Sequence, residues 1–149
     1  MAELRWKVIG ETMLIVHTRK APPAAEWDEY IAACWALGHH MQRCLVLADI
    51  SLSPTQRTQV ADVVKAAGTK LVVVVTTSAV ARGAVTALGW MTGVHKAFSP
   101  RSFEAAVSAL GVGPLERAAL VEAGVALARE LGVEHLAGRS PPQPRYAVR

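Results

Sequence analysis

The chain has 149 residues, 52% of them hydrophobic and 19% charged, which excludes a disordered chain and predicts a globular protein with its own core. Its net charge of +4 arises in residues 51–111, where six Lys and Arg residues stand against two acids. Basic runs are lacking and aromatic residues are few, so the charge does not predict nucleic-acid binding. No apolar run is long enough for a transmembrane segment, and the N-terminus lacks the apolar centre of a signal peptide, so we expect a cytoplasmic protein.

The first part of the chain predicts a hairpin followed by a helix. Apolar and charged residues alternate in LRWKV, as in a half-buried strand, and the hairpin extends over residues 4–18 with a turn at Gly10–Glu11. The helix follows two prolines and ends at Gly38, with an apolar stripe formed by Trp27, Ile31 and Cys34.

Two continuous apolar runs, Cys44–Ile50 and Leu71–Thr76, predict central strands that are covered on both faces. The segment between them predicts a helix over residues 53–67. Ser53 has the spacing of a capping box with Gln56, which marks the N-terminus of this helix.

Three further helices and a short strand are predicted after the second central strand. A helix begins near Thr77 or Ser78, with an expected inward stripe of Ala81, Ala84, Val85 and Leu88. The short strand HKAFS precedes a second helix, whose buried face is formed by Phe103, Ala106, Val107 and Leu110. The last helix begins at Gly113–Pro114 and runs to about Leu131.

This order of elements predicts an α/β fold with a small, mostly parallel sheet of four or five strands, helices packed on it, an N-terminal β-hairpin and an extra C-terminal helix. We divide the chain into a domain at 1–112, a helical extension at 113–138 and an Arg/Pro-rich tail at 139–149. The extra helix either packs on the same domain or docks a partner or a second copy.

Two stretches, LVLADIS with the capped helix after it and VVVTTSAVARGAVTALGWMTGVHKAFS, resemble the STAS superfamily. Within it the chain is most similar to the SpoIIAA-like group, which borders on the CRAL-TRIO lipid-transfer fold. The resemblance covers residues 4–112. It implies a bacterial signalling module without enzymatic activity that binds a protein partner. In the anti-sigma-factor-antagonist branch, phosphorylation of a serine switches binding, and the matching position is the start of the 53–67 helix, which here reads SLSPTQ instead of Asp-Ser-Ser-Gly.

Polar residues at the ends of the two central strands form the candidate site, since loops at the carboxyl ends of parallel strands bind ligands in α/β folds. The residues expected to contact a partner are Asp49, Ser51, Ser53, Thr55 and Arg57, and the hydroxyls that could accept a phosphate are those of Ser51, Ser53 and Thr55. The alternative role for Ser53 is to cap the N-terminus of the helix. The alternative role for Asp49 is to accept hydrogen bonds from N–H groups of the loop. The loop after the second central strand is a candidate contact for an anion or a partner, through Thr77, Ser78 and Arg82. The alternative is that these residues only cap the helix that follows.

We expect no metal, no cofactor and no catalytic site. The four potential ligands in CWALGHHMQRC, which are Cys34, His39, His40 and Cys44, match no zinc spacing, and both cysteines suit buried apolar positions. Nucleophile, phosphate-loop and metalloprotease motifs are lacking.

The sequence therefore predicts a regulatory protein-interaction module whose basic middle part suits an acidic protein partner. One alternative is a small carrier that holds a lipid or another apolar ligand between sheet and helices, suggested by the apolar content and by Trp90-Met91. Another is a structural component that forms homo-oligomers through the C-terminal helix and tail.

Overall fold

A single mixed sheet forms the centre of the computed structural model, which describes residues 2–140 apart from the Met91 side chain. The strands lie in the order of the sequence and are β1 (Leu4–Ile9), β2 (Thr12–His17), β3 (Arg43–Leu47), β4 (Leu71–Val75) and β5 (His95–Phe98). β1 and β2 are antiparallel, and each later pair is parallel. The predicted fold class is therefore confirmed, with five strands.

The helices also follow the predicted order. They are α1 (Ala24–Leu37), α2 (Pro54–Ala67), α3 (Ala79–Thr92), α4 (Phe103–Ala109) and α5 (Pro114–Glu130), with short 3₁₀ turns at Gly38–His40, Pro100–Ser102 and Glu134–Ala137. β3 is shorter than predicted: it ends at Leu47, and residues 48–53 form the loop that leads into α2.

The sheet separates two hydrophobic cores. On one face, α1 and α2 pack over a core that includes Ile15, Trp27, Ile31, Cys44 and Val63. On the other face, α4, α5 and the Glu134–Ala137 turn pack over a core that includes Leu45, Val73, Phe103, Leu120 and Leu136. Burial of the central strands on both faces explains why their sequences are apolar without alternation.

The C-terminal helix is part of the second core. Leu120, Ala128 and Leu136 are fully buried, and α5 contacts β1, β2 and α4. Gly124 permits close packing, because a Cβ atom there would lie 2.8 Å from the Phe103 ring. The alternative in which this helix packs on the same domain is therefore the one observed. The predicted tail lies, from residue 141 onward, outside the described residues.

Helix α3 differs from its prediction. It contacts the edge strand β5, and none of its described side chains belongs to either core. Ala84 is exposed and Leu88 is 41% exposed, so the predicted inward stripe is wrong for these two residues, whereas Ala81 and Val85 are partly buried. The apolar spacing correctly predicts a helix, but the sheet has no further strand for this helix to cover.

Candidate functional site

Asp49 connects three segments at the carboxyl ends of the parallel strands. Its Oδ1 atom accepts hydrogen bonds from the Thr76 hydroxyl at 3.0 Å and from the Thr77 backbone N–H at 2.8 Å. Its Oδ2 atom lies 3.1 Å from Nε2 of His135 and 3.8 Å from the Arg19 guanidinium. The carboxylate therefore ties the loops after β3 and β4 to the C-terminal turn.

The Asp49 carboxylate is held in its charged form. Its side chain is only 7% exposed, and burial alone would raise the pKa of this carboxyl. The hydrogen bonds from Thr77, His135 and Thr76 outweigh burial and lower the pKa below its usual value. The interactions of Asp49 are thus made inside the protein, and we infer that it positions the loops rather than contacting a partner.

The other four residues predicted for the first loop lie in the loop before α2 and in its first turn. Ser51, Ser53, Thr55 and Arg57 are all exposed. The Ser53 hydroxyl accepts a bond from the Gln56 N–H at 3.2 Å, and the Gln56 side chain accepts one from the Ser53 N–H at 3.0 Å. This capping box confirms the N-cap interpretation of Ser53. The Arg57 guanidinium bonds the Leu52 carbonyl at 3.3 Å.

The second predicted loop lies beside Asp49. The Ser78 hydroxyl caps α3 by accepting a bond from the Ala81 N–H at 3.1 Å. Arg82 donates from Nη1 to the Thr76 and Thr77 carbonyls, at 2.8 and 3.1 Å. The structure therefore brings the two predicted loops together at one edge of the sheet.

An open apolar groove of about 650 Å³ separates α2 from α3. Its apolar lining consists of Leu52, Val60, Ala61, Val64, Leu88 and Val94. The charged residues that line it are Arg57 and Lys65, and no acid is among the lining residues. His95 also lines the groove, and burial lowers the pKa of its imidazole, which favours the neutral form at pH 7.

The interior between the sheet and the helices α1 and α2 holds little empty space. The cavity there measures about 30 Å³, whereas small-molecule pockets measure roughly 300–1,000 Å³. Cys34 and Cys44 line it, and burial raises the pKa of their thiols to about 11 and about 12. Both thiols are therefore protonated at neutral pH and behave as small apolar side chains.

The four potential zinc ligands are not arranged around one point. Both cysteines are buried, whereas His39 and His40 are exposed on a 3₁₀ turn. Within the described part of the chain, no group of three or more His, Cys, Asp and Glu side chains is placed to hold a metal ion.

Sequence reasoning missed His135, Arg101 and the groove. His135 lies 86 residues after Asp49, so no local pattern joins the two. Arg101 lies beside His135 in the lining of a cavity near Asp49. The groove depends on the spacing of two helices that are each connected to different strands, which the sequence does not give.

None of the helices formed by residues 2–140 has the length and hydrophobicity needed to cross a membrane. In comparisons with known proteins, the chain matched no protein-family model, no curated protein and no solved structure.

Proposed function

We propose that the protein is a non-enzymatic interaction module, of the STAS type suggested by its sequence, that binds an acidic amphipathic helix in the groove between α2 and α3. The observation that carries this proposal is the open groove whose apolar lining includes Leu88 of α3, a side chain that is 41% exposed. Elsewhere on α3, Val80 and Trp90 are each 85% exposed, although most residues of this helix are apolar.

Part of the exposed apolar surface of α3 lies in the groove. Leu88 of α3 faces Val60 and Val64 of α2 across it. Large exposed apolar patches on soluble domains commonly mark interaction sites, because covering them removes apolar area from water. A groove between two helices suits an amphipathic helix, which inserts apolar side chains at helical spacing.

The charges beside the groove favour an acidic partner. Arg57 lies near the start of α2 and Lys65 near its end, and both line the groove. A helix with Glu or Asp flanking its apolar stripe would place carboxylates near both cations, which favours this orientation and speeds association.

This surface includes part of the site that the sequence predicts. Thr55 lies in the first turn of α2, two residues before Arg57, and its side chain is exposed. A phosphate on Thr55 or Ser51 would add close to two negative charges at this end of the groove and would repel an acidic helix. Phosphorylation would therefore release the partner.

The proposal can be tested with two synthetic amphipathic helices as long as α2. Both carry the same leucine stripe, flanked by Glu in one peptide and by Lys in the other. We expect the Glu peptide to bind the full-length protein and the Lys peptide to bind at least tenfold more weakly, as measured by fluorescence anisotropy. Leu88→Glu should abolish binding of the Glu peptide by placing a charge in the groove.

Trp90→Glu is the matched control, because Trp90 is on the same helix but does not line the groove. Equal binding of both peptides, or loss of binding in Trp90→Glu but not in Leu88→Glu, would show that the groove is not the docking site. A Thr55→Glu variant that binds the Glu peptide as tightly as the unmodified protein would contradict the phosphorylation step alone.

A further inference from the structure

A cavity of about 450 Å³, open to solvent, lies at the carboxyl ends of β4 and β5. It is lined by Thr77, Arg82, Ser99, Pro100, Arg101 and His135. None of these residues lines the groove between α2 and α3, so the two sites are separate. Crevices at this edge of parallel sheets are where α/β folds bind small molecules.

Basic side chains dominate this cavity. Arg82, Arg101 and His135 line it, and no acid is among the lining residues. The Asp49 carboxylate is not among the lining residues, but it bonds two of them, Thr77 and His135, so one negative charge lies beside the two guanidinium groups. An anion in the cavity would therefore meet more positive than negative charge.

Two of these basic side chains are held in place by the protein. Arg82 uses Nη1 for both of its bonds to backbone carbonyls, which leaves Nε and Nη2 to bind a ligand. Asp49 holds His135 by a hydrogen bond to Nε2, which fixes the imidazole at the wall of the cavity. Groups held in this way lose little conformational entropy when a ligand binds.

A hydroxyl group adds to the cavity. Ser99 precedes the Pro100–Ser102 turn, but its side chain makes no capping bond there. The hydroxyl can therefore donate to a ligand oxygen. Two guanidinium groups and a hydroxyl form a donor set that matches the several oxygens of a tetrahedral oxyanion.

We propose that this cavity binds a phosphate group, either as inorganic phosphate or on a small phosphorylated molecule. Its volume falls in the range of roughly 300–1,000 Å³ that is usual for small-molecule sites, so a phosphomonoester fits. This site is independent of the proposed binding of a helix between α2 and α3.

Isothermal titration calorimetry of the full-length protein tests the proposal, with inorganic phosphate and glycerol phosphate as separate probes at constant ionic strength. We expect saturable binding of at least one of them. Tighter binding of glycerol phosphate would identify a phosphomonoester as the ligand, and equal or tighter binding of phosphate would identify the free ion. Arg101→Gln should weaken binding about tenfold, because it removes a charge-assisted hydrogen bond.

Two variants serve as controls. Lys7→Gln removes an exposed positive charge on the opposite edge strand, β1, and should bind as the unmodified protein does. Leu88→Glu, which lies in the groove, should also leave phosphate binding unchanged. Absence of saturable heat with both probes, or an equal loss of affinity in Arg101→Gln and Lys7→Gln, would overturn the proposal. Because Arg101 is exposed, its variant should retain the unmodified thermal unfolding curve, which we would check.

Discussion

The Asp49 carboxylate is a structural link at the scale of a single residue. It joins the loop after β3, the loop after β4 and the Glu134–Ala137 turn. Each donor that points at it would lose a charged acceptor if the carboxylate were neutralised. A buried donor that loses its acceptor costs about 1–3 kcal/mol, so the effect on stability should be measurable.

We expect Asp49→Asn to lower the free energy of unfolding by about 2 kcal/mol, as measured by urea denaturation. Asp62→Asn is the matched control, because Asp62 is exposed on α2, and it should change stability little. The pKa of Asp49 is lowered on folding, so its stabilising effect is present above the ordinary value of 3.8 and is lost as the pH falls below it. Equal stability of the two variants would show that the link is not needed.

The buried imidazole of His17 should make the stability of the protein depend on pH in a second way. Burial beside Trp27 lowers the pKa of its imidazole from 6.5 to about 4, so the folded protein keeps it neutral. The unfolded chain binds a proton below pH 6.5 and the folded one only near pH 4. As the pH falls from 6.5 to about 4, the free energy of unfolding should therefore decrease, by up to about 3 kcal/mol.

The two histidine variants His17→Phe and His40→Phe separate this effect from that of the carboxyl groups. His40 is exposed, so its variant should keep the fall in unfolding free energy between pH 6.5 and about 4. His17→Phe should flatten it. If both variants keep the same pH dependence in urea denaturation, His17 is not the group responsible.

Local patterns predicted some of these residues and not others. The capping box of Ser53 and Gln56 was predictable, because both bonds lie within three residues of sequence. The proximity of Asp49 and Thr77 was predictable, because these residues follow two neighbouring parallel strands that end at the same edge of the sheet. The contacts of Asp49 with His135 and Arg19 depend on how the C-terminal turn and the loop after β2 fold back, for which the sequence carries no local pattern.

At the scale of elements, α3 shows the limit of apolar periodicity. The spacing of Val85 and Leu88 indicates an amphipathic helix, but periodicity does not say what covers the apolar side. In this fold α3 packs on the edge strand β5, so much of its apolar surface stays exposed. By contrast, the stripe of Phe103 and Val107 on α4 was predicted correctly, because α4 covers the inner strand β4.

The attachment of α3 depends on Gly89. A Cβ atom at this position would lie 2.1 Å from the His95 carbonyl oxygen, so the helix must move away from β5 if the residue is larger. We expect Gly89→Ala to lower the free energy of unfolding by about 1–3 kcal/mol and to speed hydrogen exchange of the α3 amides.

Gly83 on the same helix provides the control for this prediction. Beyond its chain neighbours and the nearby backbone of α3, no atom lies within 4 Å of a Cβ placed there, so Gly83→Ala should stabilise the protein by up to about 1 kcal/mol through helix propensity. Urea denaturation should show a lower free energy of unfolding for Gly89→Ala and a higher one for Gly83→Ala. A stabilising Gly89→Ala would mean that α3 is not held closely against β5.

At the scale of the whole molecule, the sequence predicted the sheet but not the extent of the second core. The apolar runs of β3 and β4 require cover on both faces, because apolar residues follow one another in them without alternation. The sequence does not show which helix covers each face. Residues 113–138 were assigned to an extension, yet Leu120 and Leu136 are as deeply buried as Leu45 of the central strand β3.

The depth of this burial predicts what happens when the extension is removed. A chain that ends at Gly113 loses four large apolar side chains of the second core, which are Leu120, Leu131, Val133 and Leu136. Burying such a side chain contributes about 1.5–3 kcal/mol, so the loss would amount to roughly 6–12 kcal/mol. The total stability of a domain is about 5–15 kcal/mol. We therefore expect this chain to lack a cooperative urea transition and to aggregate during sedimentation.

A chain that ends at Ser140 is the control, since it retains every element from β1 to the Glu134–Ala137 turn. It should unfold cooperatively in urea and sediment as the full-length protein does. The division at residue 112 makes the opposite prediction, namely that residues 1–113 fold alone. A cooperative, soluble chain ending at Gly113 would support that division and would show that the sheet tolerates exposure of the face that α5 covers.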